Sequence, residues 1–140
     1  MFFLDTSILI AALISEESSD RIGNCLVQSE PGTLHISGWT LTEVSSALAL
    51  KVRMNTLSLD QRADAHSRFV QLVEQSLTLV EVTDTHFETA ARFCDNASLN
   101  IRAGDALHLA IAGAHGMTLA TLDRSMAEAG LQLGIATQIP

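Results

Sequence analysis

An apolar run that ends abruptly in a carboxylate opens this chain and limits what it can fold into. Phe2, Phe3 and Leu4 are continuously apolar, as expected of a strand buried on both faces, and Asp5 follows directly. The apolar segment 8–13 then predicts a helix. We therefore expect Asp5 at the carboxyl end of a central strand, the edge at which open α/β sheets gather ligands. A lone Asp there most often caps the helix, so other residues must decide its role.

Length and hydropathy predict a single domain that associates with a partner. The 140 residues contain no linker, low-complexity tract or internal repeat, so residues 1–140 are expected to fold as one unit. Hydrophobic residues make up 47% of the chain and the mean hydropathy is +0.26, which is high for a small monomer. The apolar runs are too short to cross a bilayer, so we expect a homodimer that covers part of the apolar surface. No basic segment precedes the first strand, which predicts a cytoplasmic protein without a signal peptide.

The charge balance limits how the protein can meet nucleic acid. A net charge of −8, with seven arginines and one lysine, argues against binding through a broad basic face. It leaves room for an enzyme that uses metal ions to meet phosphate groups. Cys25 and Cys94 lie far apart, each within a helical pattern, so we expect buried free thiols rather than a disulfide or a zinc site.

Strand and helix patterns alternate along the chain. Strands are predicted in 33–37, 77–82 and 118–123, with a further edge strand in 134–139. Helices are predicted after Ser18 or Ser19, in 40–53, 58–75, 85–94 and 103–114, and in 124–129 before Gly130. This alternation is typical of an α/β fold in which helices cover both faces of a mainly parallel sheet.

The segment from Trp39 to Val44 matches a helix start. Thr40 is expected as the N-cap, Glu43 three residues later would complete a capping box, and Trp39 would pack on Val44. Glu43 therefore has a structural explanation of its own. The same packing is a sufficient explanation for Trp39, which is favoured over stacking on an RNA base.

Four acids share one kind of position. Asp5 and Asp123 each follow a short apolar strand, whereas Glu43 and Asp105 are expected in the first turns of helices that begin at the same edge of the sheet. Converging carboxylates would repel one another and raise their pKa values unless a divalent cation lay between them. Oxygen ligands without Cys or His at suitable spacing favour Mg²⁺ or Mn²⁺ over zinc. Phosphoryl chemistry is the natural use of such a site.

Four motifs, in this order, resemble those of the PIN-domain nucleases, and most closely the bacterial VapC-type toxins of type II toxin–antitoxin modules. They are Leu4-Asp5-Thr6-Ser7, Thr42-Glu43-Val44, Arg102-Ala103-Gly104-Asp105-Ala106-Leu107-His108-Leu109-Ala110 and Thr121-Leu122-Asp123. The resemblance covers essentially the whole chain and implies a three-layer α/β/α sandwich around a mainly parallel sheet. It also implies an acidic quartet of Asp5, Glu43, Asp105 and Asp123, with Ser7 and Thr121 as supporting hydroxyls.

The activity implied by the resemblance is metal-dependent hydrolysis of RNA phosphodiester bonds. Asp5 and Asp105 would hold one Mg²⁺ or Mn²⁺, while Asp123 and Glu43 would complete the site or hold a second ion. The supporting hydroxyls would orient these groups rather than act as nucleophiles, because no histidine accompanies them as a base. A small antitoxin would keep the protein inactive, for instance by inserting an arginine among the acids.

Two other classes of protein have related patterns. A doubly wound phosphoacceptor or phosphatase would need an acidic pair near the first strand and a late lysine, or an Asp two residues after Asp5. Ser7 occupies that second position, and the lone lysine is Lys51, so this class is disfavoured. A non-catalytic binding module with the same fold stays an alternative, although all four acids are present.

Two residues of the third motif have competing explanations. Arg102 is equally suited to a phosphate contact and to a surface ion pair. His108 lies one helical turn after Asp105 and would face the site on that spacing. In an Ala/Leu-rich helix, however, a packed and hydrogen-bonded histidine is the favoured interpretation.

Overall fold

The computed structural model describes residues 1–14 and 19–140, and within them the chain forms one parallel sheet. Its strands are β1 (Phe2–Leu4), β2 (Leu34–Ser37), β3 (Thr78–Val80), β4 (Thr118–Ala120) and β5 (Thr137–Gln138). Every pairing is parallel, and the spatial order is β3-β2-β1-β4-β5. The predicted parallel sheet is confirmed, and the first strand of the chain lies at its centre.

Helices cover both faces of this sheet. In the described ranges they are α1 (Thr6–Leu13), α2 (Ser19–Gln28), α3 (Gly38–Arg53), α4 (Leu59–Ser76), α5 (Asp84–Asp95), α6 (Ala103–Ala114) and α7 (Arg124–Gln132), with a 3₁₀ turn at Ala97–Leu99. No helix in this part of the chain is long and apolar enough to span a bilayer. One buried cluster joins α5, α6 and α7 to the sheet, and a second joins α1, α2, α3 and α4 to it. The three-layer α/β/α sandwich is therefore confirmed.

Strand β1 is buried on both faces, as its apolar run predicts. Phe3 is fully buried in the cluster that contains α6, whereas Leu4 is 2% exposed and belongs to the cluster that contains α1. Burying each such side chain contributes roughly 1.5–3 kcal/mol. Phe3 is also paired with His35 of β2 and Leu119 of β4. These contacts fix the end of β1, and with it Asp5.

The strand order brings three distant segments to one edge of the sheet. Strands β2, β1 and β4 are neighbours and run in the same direction, so the residues that follow them meet at their carboxyl ends. Helix α3 begins directly after β2, Asp5 follows β1, and Asp123 follows β4 with two residues between. The topology alone therefore gathers acids that are far apart in sequence.

Helix α3 begins earlier than the sequence analysis predicts. Ser37 is both the last residue of β2 and the N-cap of α3, and it forms a capping box with Thr40. Thr40 is fully buried inside the first turn and does not cap the helix. The prediction was wrong because Ser37 offers the same short hydroxyl directly at the strand end. Glu43 consequently lies beyond the first turn and has no capping role.

Two smaller expectations are corrected. Cys25 and Cys94 are free, as predicted, but both are exposed rather than buried. Helix α7 continues past Gly130, where the lack of a side chain serves close packing, since a Cβ there would collide with Thr137 next to it on β5. The suggested cap Ser18 lies outside the described residues.

Candidate active site

Asp5 lies at the junction of β1 and α1 and is only 5% exposed. Its Oδ2 accepts hydrogen bonds from the Ser7 backbone N–H (3.2 Å), the Ser7 hydroxyl (2.6 Å) and the Thr121 hydroxyl (2.9 Å). The first of these bonds caps α1, so the capping role is real. Its Oδ1 faces His108 instead, with Nε2 of that ring 3.5 Å away. One oxygen of Asp5 therefore supports the fold, and the other faces His108.

Ser7 and Thr121 tie the end of β1 to the end of β4. Besides donating to Asp5, the Ser7 hydroxyl accepts the Leu122 N–H (2.9 Å) and the Thr121 hydroxyl accepts the Asp123 N–H (3.0 Å). Both positions that the motifs place beside Asp5 are in contact with it. Because each hydroxyl proton is already donated to the Asp5 carboxylate, these residues fix its orientation.

Glu43 reaches the same place from α3. Its Oε2 accepts hydrogen bonds from the Thr6 hydroxyl (2.7 Å) and from His108 Nε2 (2.5 Å). Its Oε1 packs against Gly104, where an added Cβ would lie only 2.6 Å from it. The Trp39 indole nitrogen is buried next to this carboxylate but makes no hydrogen bond of good geometry among the described residues. Gly104 is thus the residue that leaves room for the Glu43 carboxylate.

The surroundings of Glu43 favour its charged form. Burial acts to raise the pKa of Glu43, but the hydrogen bond and the charge interaction with His108 act against burial, as do the Thr6 hydroxyl and the nearby Trp39 indole. The net result is a pKa below the ordinary glutamate value. Glu43 is therefore a carboxylate at neutral pH, held in place by donors.

Asp105 stands in the first turn of α6, as predicted, and its Oδ2 accepts the Arg102 backbone N–H (2.8 Å). Burial raises the pKa of Asp105, and repulsion by Asp123 and Asp5 raises it further, against the lowering effects of the Arg102 hydrogen bond and of His108. Carboxylates that shift one another's pKa in this way are close in space. A bound cation would relieve this repulsion.

Asp123 is exposed and caps α7, with its Oδ1 accepting the Met126 N–H (3.1 Å). With Asp105 it lines a polar cavity whose wall also contains Asn96, Asn100, Arg102 and Ser125. Because Asp105 also interacts with Asp5, this cavity adjoins the buried carboxylates. The four predicted acids therefore form one region, with Asp5 and Glu43 at its base and Asp105 and Asp123 toward solvent.

The tightest donor cluster in the described part of the chain consists of Asp5, Glu43 and His108. Each offers one ligand atom, and these atoms lie within 4.8 Å of one another. In each carboxylate one oxygen accepts hydrogen bonds from protein donors, while the second oxygen of Asp5 faces His108 and that of Glu43 packs against Gly104. Carboxylate oxygens of the kind that Asp5 and Glu43 contribute to this group are suitable ligands for a divalent cation.

His108 is the site neighbour to which the sequence analysis assigned no function. It is 1% exposed and hydrogen-bonded, as expected, but its partner is Glu43 of the acidic quartet. The signal in the sequence was its spacing of one helical turn from Asp105 on α6. The Ala/Leu-rich face of α6 does bury the His108 ring, as predicted, but the buried ring lies next to the acids.

Comparison with protein families identifies the class of protein to which this fold and site belong. The family model of the PIN domain matches residues 2–131. The chain belongs to the PIN-domain family. No curated protein matches the chain significantly.

Several solved structures share the fold. FitAcB from Neisseria gonorrhoeae is 22% identical with a TM-score of 0.74, covering 100% of this chain and 98% of its own. VapC20 from Mycobacterium tuberculosis, a Sarcin-Ricin loop cleaving toxin, is 19% identical with a TM-score of 0.73, covering 93% and 95%. VapBC2 from Rickettsia felis, bound to a DNA fragment from their promoter, is 15% identical with a TM-score of 0.67, covering 98% and 96%. At these identities the likeness is one of fold.

The packing of Glu43 on Gly104 generates a prediction. Gly104→Ala should displace the Glu43 carboxylate, because the new Cβ would lie 2.6 Å from its Oε1. Since the displaced group is the end of a flexible side chain and alanine favours helix by about 1 kcal/mol over glycine, the melting temperature should not fall. Mn²⁺ affinity, measured by calorimetry, should fall clearly.

Gly23→Ala in α2 is the matched control, because a Cβ there meets nothing within 4 Å. It should leave Mn²⁺ affinity unchanged. Equal Mn²⁺ affinity in Gly104→Ala and the unmodified protein would contradict the placement of Glu43 at the metal site.

Proposed function

We propose that this chain is a metal-dependent ribonuclease that acts as the toxin of a type II toxin–antitoxin module. The observation that carries the proposal is the meeting of Asp5 and Glu43 at the carboxyl edge of the sheet, where Asp105 and Asp123 line the adjoining cavity. Repelling carboxylates gathered at one place are costly unless they serve a cation. Membership of the PIN-domain family and the toxin fold of its neighbours support the same function.

Each acid has a role that its surroundings suit. Asp5 and Asp105 would hold the cation, and Glu43 and Asp123 would complete the site from opposite sides of β1. The chemistry that Mg²⁺ or Mn²⁺ would supply there is polarisation of the scissile phosphate and a lower pKa of water near neutral pH. The polar cavity beside Asp105 gives the RNA strand its approach, with Arg102 in its wall.

The hydroxyls of Ser7 and Thr121 orient Asp5 and do not attack the phosphate. Each already donates its proton to Asp5 and accepts a backbone N–H. A nucleophilic hydroxyl needs an adjacent base that is free to take its proton, and here the acceptor is a carboxylate committed to the site. Water is therefore the nucleophile in the proposed reaction.

An antitoxin partner follows from the same geometry. FitAB has been solved bound to an IR36 DNA fragment, and a toxin–antitoxin complex from Klebsiella pneumoniae has the same fold as this chain at 19% identity and a TM-score of 0.64. The four acids give this chain an anionic cavity suited to an arginine, whose guanidinium pairs well with carboxylates. An inserted arginine would occupy the place of the cation and stop catalysis.

We also propose that the protein forms a homodimer through α3 and α4. Leu50, Met54, Leu59 and Val70 are exposed by 46%, 63%, 73% and 40%. They lie on or next to α3 and α4, the helices in which the sequence shows more apolar residues than one core-facing stripe needs. Exposed apolar side chains on neighbouring helices favour association with a second copy.

Metal dependence is the direct test of the activity. RNA cleavage should require Mg²⁺ or Mn²⁺ and stop in excess EDTA, because an acidic site cannot bind a phosphodiester unaided. Asp5→Asn should lower kcat/KM by at least about 100-fold, a loss as large as the strongest effects of outer-shell partners. The fold should persist, since the asparagine carbonyl can accept the bonds that Asp5 Oδ2 now accepts from Ser7 and Thr121.

The matched control is Asp64→Asn, at an exposed acid on α4. It should keep full activity. Cleavage that continues undiminished in EDTA would overturn the nuclease assignment. If Mn²⁺ raises the melting temperature but no RNA is cut, the non-catalytic binding module is the better account.

Competition between metal and antitoxin tests the second half of the proposal. Mn²⁺ should weaken the binding of the cognate antitoxin to this chain, and Asp5→Asn should remove much of that sensitivity, because one site cannot hold both cations. Antitoxin affinity can be followed by calorimetry at rising Mn²⁺. Affinity that ignores both Mn²⁺ and Asp5→Asn would place the antitoxin away from the acids.

A further inference from the structure

His108 lies directly beneath the proposed metal site and touches two of its acids. It stands on α6 with 1% exposure, its Nε2 is 2.5 Å from Glu43 Oε2, and the same atom is 3.5 Å from Asp5 Oδ1. The Phe3 ring packs beside it, with centroids 5.7 Å apart and planes tilted by 53°. The imidazole is therefore held in one orientation by core packing, with one nitrogen directed at the acids.

The position of the ring proton follows from these contacts. A carboxylate can only accept hydrogen bonds, so the short contact with Glu43 requires the proton on His108 Nε2. The other ring nitrogen, Nδ1, is buried and has no hydrogen-bond partner among the described residues. His108 is thus a donor toward Glu43, with the opposite edge of its ring in apolar packing.

Metal ligation by His108 would conflict with this arrangement. To bind an ion through Nε2 the ring would have to give up the Nε2 proton that Glu43 accepts, and the neutral ring would then carry its proton on Nδ1. Histidines that bind metals almost always donate that second N–H to a carboxylate or carbonyl oxygen. No such acceptor meets His108 Nδ1 within the described residues, so ligation would bury an unpaired donor.

We propose that His108 is a positioning residue, which donates its Nε2 proton to Glu43 Oε2 and so fixes the Glu43 carboxylate beside Asp5. The role rests on the proposed nuclease function. Thr6 donates to the same oxygen of Glu43, so two donors from different helices hold this carboxylate in place. Since α6 and α3 cover opposite faces of the sheet, this hydrogen bond also joins the two helical layers at the site.

Two substitutions separate this role from mere packing. His108→Leu keeps an apolar side chain in the core but removes the donor. His108→Gln places an amide N–H at about the reach of the imidazole Nε2 and keeps the donor. Mn²⁺ affinity, measured by calorimetry, should fall roughly 10- to 100-fold in His108→Leu, as for other residues that orient metal ligands. It should be largely restored in His108→Gln.

His35→Leu is the matched control. His35 is another buried histidine, on β2, and its Nδ1 contacts the Thr33 carbonyl (3.2 Å) rather than an acid. Its replacement should alter the melting temperature without altering Mn²⁺ affinity. Equal Mn²⁺ affinity in His108→Leu and the unmodified protein would overturn the positioning role alone, whereas an unmodified protein that fails to bind Mn²⁺ would overturn the nuclease proposal itself.

Nitrogen NMR of the unmodified protein gives a second readout that needs no variant. The His108 ring should keep a proton on Nε2 both without metal and with saturating Mg²⁺. Loss of the Nε2 proton when Mg²⁺ is added would show that His108 is a ligand and would overturn the proposal.

Discussion

Repulsion among carboxylates at one edge of the sheet is the interaction on which the rest of this structure depends. Asp5 is buried and Glu43 is half-buried beside it. The negative charges of Asp123 and Asp5 both raise the pKa of Asp105. The chain offsets this cost with donors: two hydroxyls and a backbone N–H on Asp5, and a hydroxyl and an imidazole on Glu43. These donors fix both carboxylates next to each other, and carboxylate oxygens placed in this way are suitable ligands for a divalent cation.

The fold and the convergence of the acids could be predicted from two patterns in the sequence: an apolar strand that ends in Asp5, and the alternation of strands and helices. A continuous apolar strand ending in Asp5 is buried on both faces because it lies at the centre of a parallel sheet. Alternation of strands and helices fixes the α/β class, and parallel strands bring their carboxyl ends to one edge. Ser7 and Thr121 follow neighbouring central strands, and both donate hydrogen bonds to Asp5. Local strand and helix patterns were therefore sufficient to predict the parallel sheet and the edge at which the acids meet.

Three details were not predicted: the N-cap of α3, the partner of His108 and the role of Gly104. Each depends on contacts between segments that the local sequence does not specify. Ser37 and Thr40 carry similar hydroxyls, and Ser37 caps α3 because β2 ends at Ser37. Glu43 therefore has no capping role. His108 sits in a helix whose composition predicts packing, and its contact with Glu43 is made across the sheet from another layer. The need for glycine at position 104 likewise becomes apparent only from its contact with the Glu43 carboxylate. Contacts between elements far apart in sequence leave no periodic signal in either one.

The central claim is that these acids form a single cation site at the carboxyl edge of the sheet. Crystals of the protein soaked in Mn²⁺ test it most directly, because anomalous scattering locates the ion without assumptions about its ligands. We expect an anomalous peak in contact with carboxylate oxygens of Asp5 and Asp105, and close to Glu43. A Mn²⁺ peak elsewhere on the molecule, with none among these acids at saturating Mn²⁺, would contradict it.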